Sequence, residues 1–200
     1  MTFKYFDKPE ILSGLEYEEM ICDICSQEKL CFGATNFYGT EELTAICPDC
    51  LGNGGLIDRD VSSCSAPIRL LEQQLRDLNP DLSDAEIEAI AKQKTLELEK
   101  MTPHLVTWQD FTWPCLDGDY CKFIGFGSKQ LYRALAKWQD AKFFFKNSLE
   151  EGYIYNEDLW NEDMQDNVIN SSEESCNNFV IFYVFQSLNS DKIVTLYDFD

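Results

Sequence analysis

CDIC (22–25) and CPDCLG (47–52) are the two stretches whose reading decides the fold. Cys22 and Cys25 stand three apart, as do Cys47 and Cys50, and twenty-one residues separate the pairs. Two thiolates at this spacing on a tight turn point at one ion and leave neighbouring N–H groups free to donate to sulfur. Two such turns complete a tetrahedral four-sulfur shell with bonds of about 2.3 Å. Pro48 pre-sets the dihedral of the second turn, and Gly52 is expected to supply the left-handed residue that closes it. The reading is one structural Zn2+ held by Cys22, Cys25, Cys47 and Cys50. A closed shell of this kind stabilises a fold and has no open position from which to activate water. A redox Cys-x-x-Cys fits less well, because such motifs come singly, near a helix start.

Around these turns, residues 1–58 show no helical period and carry glycines among aromatics. They read as a small zinc-knuckle module of short strands, with a pair expected at 30–38 and 43–47. Residues 59–200 read as the remainder, one continuous α+β domain. Its first helix starts at Pro67, with Ile68, Leu71, Leu75 and Leu78 on one face, and Asn79-Pro80 ends it. Ser83 with Glu86 three residues on forms a capping box for the next helix, whose inner face carries Ile87, Ile90 and Leu98. A third helix is expected over 129–147, with Leu131, Leu135 and Trp138 on one stripe. Residues 150–174 hold nine acidic side chains and no Lys or Arg, and read as a solvated acidic loop or a mobile segment, with short ordered pieces near Tyr153, Tyr155 and Trp160. FVIFYVF (179–185) and KIVTLYDF (192–199) read as a closing hairpin joined by SLNSD, with at least one strand buried on both faces. The fold class is α+β: a zinc-ribbon-like N-terminal module packed on a mixed helix and antiparallel-strand domain.

Composition narrows the function. The chain has 36 acidic and 16 basic side chains, a net charge of −20. Such a field repels nucleic-acid phosphates and acidic membranes and attracts basic proteins. The opening MTFKYFDKPE has no apolar core of signal-peptide length, and FVIFYVF is too short to span a bilayer. Nine cysteines without an export signal point to the reducing cytosol, so a cytoplasmic location is expected.

The other candidate residues are thinner. Cys115 and Cys121 flank a Gly/Asp loop, and two cysteines alone make no metal shell. Cys31, Cys64 and Cys176 stand singly and read as small hydrophobes. His104 is the only histidine. With Asp117 and Asp119 it is the basis of an alternative reading, a hydrolase or nucleotide-acting enzyme, but no nucleophile accompanies it.

Several blocks together resemble the CbrC family, a group of small bacterial proteins. They are the opening FKYFDKPE (3–10), CDIC (22–25), CPDCLGNG (47–54), TPHLVTWQ (102–109), Trp113, CKFIG (121–125) and the terminal YDFD (197–200). The chain departs from that pattern at His104, where the family usually has glycine. It departs again at Ser187-Leu188-Asn189-Ser190, where the family's last hairpin tends to carry a Cys-x-x-Cys turn. The resemblance implies a second metal site there with the counterparts of Cys115 and Cys121, and with serines in place that site is expected to be empty or absent. It also implies a link to tolerance of a DNase-type colicin. The combined expectation is a zinc-stabilised binding protein with a basic protein partner, not an enzyme and not a nucleic-acid binder.

Overall fold

The computed structural model describes residues 2–199. In chain order the elements are α1 (Pro9–Leu12), β1 (Tyr17–Ile21), β2 (Glu28–Gly33), β3 (Tyr38–Gly39), β4 (Ala45–Ile46), α2 (Pro48–Gly52) and β5 (Val61–Ser62), then α3 (Ile68–Leu78) and α4 (Asp84–Met101). They continue with β6 (Cys115–Leu116), β7 (Asp119–Tyr120), β8 (Lys122–Phe126), α5 (Lys129–Ala136) and α6 (Ala141–Ser148). A π-helical turn at Leu159–Asp163, α7 (Ser172–Ser175), β9 (Val180–Gln186) and β10 (Ile193–Phe199) complete the chain. The fold is α+β with antiparallel strands throughout its sheets. No helix among the described residues is long and apolar enough to cross a membrane.

The expected strand pair near the cysteines is β2 with β4, where Phe32 faces Ile46 and Gly33 faces Ala45. A further strand, β1, lies on the other side of β2. Its sequence, YEEMI, alternates poorly because Glu18 and Glu19 are both exposed. The N-terminal region is tied to the C-terminal two thirds of the chain. β3 pairs with β5, Asp7 N donates to Phe123 O at 3.0 Å, and one apolar cluster runs from Phe3 and Phe32 to Trp113 and Phe185.

The second sheet has the order β10-β9-β8. Its central strand β9 is buried on both faces because each face meets a different core. Ile181, Tyr183 and Phe185 turn toward Phe123 and the large cluster, while Phe182 and Val184 turn toward Tyr132 and Phe145 of the helical layer. A continuous apolar run is what such a strand requires, since no side of it sees water.

The helix expected over 129–147 is two helices. Lys137 takes φ 56°, ψ −95°, which no α-helix accommodates, and Asp140 caps α6 by accepting from Phe143 N at 2.8 Å. Trp138 sits at this break, fully exposed, and not on an inner stripe with Leu131 and Leu135. The acidic stretch 150–174 turns part of its apolar side chains inward: Leu159, Met164 and Ile169 are buried and Tyr155 and Trp160 pack on the helical core, while Ile154 and Val168 are exposed. Its carboxylates are mostly outward.

Within FFF (143–145), Phe145 is wholly buried against Tyr132, Trp160 and Phe182, whereas Phe143 is exposed. Phe145→Ala is expected to cost about 3–5 kcal/mol of unfolding free energy, and Phe143→Ala less than about 1 kcal/mol. Urea unfolding of both variants checks this; equal costs would mean that α6 is rotated from the face described.

Candidate metal centre

The first cysteine turn begins where β1 ends. Cys22 N donates to Gln27 O at 3.0 Å, and Ser26 N closes back on Cys22 O at 2.8 Å, with Ser26 at φ 57°. The second turn starts helix α2: Cys47 is its extended N-cap residue and Pro48 occupies the first position, where a missing N–H costs nothing. The left-handed residue that closes this turn is Gly54 at φ +79°, not Gly52, which lies inside α2. At Gly55 a Cβ would stand 2.8 Å from Cys50 O, the acceptor of Gly55 N, so the chain can approach the ligand turn only without a side chain.

Asp23 fixes one turn against the other. Its Oδ2 accepts from Thr44 N at 2.6 Å and Ala45 N at 2.9 Å, and its own N–H donates to Ala45 O at 3.0 Å. Together with the β2–β4 pairing, this brings the four sulfur atoms within 4.8 Å of one another. A tetrahedron of sulfurs about a metal at roughly 2.3 Å has edges of about 3.8 Å, so the cluster needs only small side-chain adjustment to close on an ion. Cys22 and Cys47 are buried, Cys25 and Cys50 half-buried. Cys47 N points at Cys22 Sγ from 3.3 Å.

Burial pushes Cys22 up, but the N–H groups of Cys47, Cys25 and Ile24 outweigh it and bring the group down to about 7. Burial and the neighbouring thiols of Cys47, Cys25 and Cys22 push Cys50 well above the ordinary thiol range. An ion bound here would replace the thiol protons, while the backbone N–H groups would stay directed at sulfur. All-sulfur coordination of this kind suits soft or borderline ions and not Mg2+ or Ca2+. Cys31 lies beside the cluster but is not one of the four. Burial, with the charges of Cys22 and Cys47 nearby, pushes it up to about 11, and its thiol donates to Met20 O at 3.6 Å.

The remaining sequence candidates go to separate places. Cys115 and Cys121 are buried, each pushed up to about 12 by burial, and belong to no group of three or more potential ligands among the described residues. Asp117, at the turn between β6 and β7, accepts from Ser187 Oγ (2.9 Å), Ser190 Oγ (2.6 Å) and Lys192 Nζ (2.7 Å). The serine turn therefore does meet the 115–121 loop, through hydroxyl and carboxylate groups. Asp119 is buried and joins three parts of the chain, accepting from Tyr5 OH at 2.8 Å and Lys94 Nζ at 2.5 Å. His104 lines a cleft to which neither Asp117 nor Asp119 contributes. Spacing gave no sign of the Asp23 staple, because its partners lie twenty-one and twenty-two residues away.

The chain matches the uncharacterised protein family UPF0167 over residues 1–199. It belongs to that family. No solved structure matches it.

Because the ligands must shed protons to bind, metal affinity rises with pH and is lost as pH falls. Stability contributed by the ion is therefore present at neutral and alkaline pH and disappears on acidification. Thermal melts of the metal-loaded chain are expected to drop toward those of a chelator-treated sample as pH is lowered from about 8 to about 5. Cys47→Ser should abolish that difference. Identical melts for loaded and chelated wild-type protein at pH 8 would show that the four thiols hold no ion.

Proposed function

We propose that this chain is a zinc-stabilised cytoplasmic binding protein of the CbrC type, not an enzyme, and that it engages a basic protein partner. The zinc assignment rests on the donor set: four cysteines on two turns, with N–H groups aimed at sulfur, are the usual surroundings of a structural Zn2+. One zinc per chain is expected. The ion would hold the two turns together and leave no coordination position open for substrate.

The observation that carries the partner reading is uncompensated charge. Most of the sixteen basic side chains already face a carboxylate within the chain, among them Lys4, Arg59, Arg76, Lys94, Lys142 and Lys192. The excess of acidic groups is therefore not neutralised internally and faces solvent. Within the acidic stretch, Glu151, Asp158 and Glu162 are exposed and take part in no ion pair among the described residues. A surface of this sign attracts proteins that themselves bind phosphates, since nuclease domains carry basic faces. That chemistry agrees with a role in tolerance of a DNase-type bacteriocin, which the CbrC resemblance suggests.

The test is association with the basic nuclease domain of a DNase-type colicin, monitored by surface plasmon resonance. The on-rate is expected to fall at least about tenfold between 50 and 500 mM salt, since exposed charges are screened beyond roughly 8–10 Å at physiological ionic strength. Replacing Glu151, Asp158 and Glu162 together by Gln, Asn and Gln should slow association severalfold without releasing the metal. Binding that ignores both salt and the triple substitution, or no binding at low salt, would overturn the partner reading and leave the metal site standing.

A further inference from the structure

Away from the four clustered cysteines, the 104–113 segment borders a cleft of about 720 Å³, within the size range of small-ligand sites. Asn36 and Tyr38 contribute from around β3, Ser62 and Ser65 from β5 and beyond it, and Glu99 from the last turn of α4. The charge of the lining is one-sided: Glu99 and Asp110 face in, and no lysine or arginine does. Glu99 Oε1 accepts the Ala66 N–H at 3.1 Å, and its second oxygen has no donor among the described residues. Burial, only partly offset by that N–H and by Lys100, holds the Glu99 carboxyl above its usual range. A cation placed beside this carboxyl would favour its charged form.

His104 adds an acceptor. Its Nδ1 lies 2.8 Å from Ser63 O, and a carbonyl only accepts, so Nδ1 carries the proton and Nε2 presents a lone pair. Burial keeps this imidazole below the usual histidine range, hence neutral at pH 7. Cys64, also in the lining, is pushed up to about 12 by burial and donates to Pro103 O at 3.5 Å, so it offers no thiolate. Aromatic rings supply the rest of the wall. Tyr38 meets His104 edge to face at 5.6 Å, and Phe111 lies 5.8 Å from Trp113.

We propose that this cleft binds a guanidinium group. The lining is rich in acceptors, negative and aromatic. A guanidinium is its complement: five N–H donors, no acceptor, a permanent positive charge and a flat face that stacks on rings. An ammonium would satisfy the charge and could sit over a ring, but its compact point charge lacks the planar fork of donors that spread acceptors call for. Phosphates and carboxylates are repelled, which removes nucleotides and organic acids as occupants. The assignment stands on the cleft alone and does not depend on the zinc or the partner reading. A guanidinium arrives either on a protein, as an arginine side chain, or on a free small molecule.

Because His104 is the only histidine, its ring signals in an NMR titration report this one place. Nα-acetyl-arginine amide is expected to shift them saturably, at least about tenfold more tightly than the uncharged citrulline counterpart. Asp110→Asn, an exposed change that leaves the fold intact, and Glu99→Gln, which can still accept from Ala66 N, should each weaken binding about fivefold or more. Glu18→Gln on β1 should leave it unchanged. Tighter binding of a capped arginine tripeptide than of agmatine assigns the source to protein, and the reverse order to a small molecule; either order supports the site. Equal affinity for the arginine and citrulline probes, an unmoved His104, or wild-type binding by both cleft variants would overturn it.

Discussion

Four sulfur atoms converge from two turns that twenty-one residues separate, and the surrounding structure is arranged around the need to keep them there. Burial opposes the charged form of a thiol, and within this cluster N–H groups hold Cys22 down while burial and the neighbouring thiols push Cys50 up. A cation reverses this, because each sulfur then faces positive charge. The β2–β4 pairing, the Asp23 staple and the side-chain-free Gly55 act on the same few ångströms of chain. Each shapes the cage before an ion enters, so less ordering is left for the binding event.

The region built on these turns does not stand apart from the rest. Tyr5 reaches buried Asp119, Phe6 packs on Phe123, and β3 pairs with β5. Loosening the cysteine turns would therefore be felt along the large apolar cluster as far as β9. On the far side of β9 the helical layer forms a second core around Phe145, which does not touch the metal turns. The acidic stretch is pinned to that second core by Leu159 and Trp160, so its charge is displayed on a packed support.

What could be read from the sequence was what is local and chemically distinctive. The cysteine spacing, the Ser83–Glu86 capping box and the unbroken apolar run of β9 each announce themselves within a few residues, and the structure has them. Strand β1 was hidden because two adjacent glutamates mask its alternation. The break at Lys137 was hidden because a continuous apolar stripe outweighed the Asp140 cap. Gly52 and Gly54 both suit a closing turn, and only the length of α2 decides between them. The cleft lies further still from legibility: Tyr38, Glu99 and His104 are far apart in the chain, and no spacing rule joins them.

The proposed centre, four thiolates sharing one zinc ion, is what the expected metal content, stability and pH behaviour all depend on. X-ray absorption at the zinc edge of the purified protein tests this most directly, since it counts ligand atoms and measures their distances without any variant. Four sulfur neighbours at about 2.3 Å are expected, with no oxygen or nitrogen bound to the ion. A mixed shell with nitrogen or oxygen at about 2.0–2.1 Å, or two sulfurs in place of four, would contradict it.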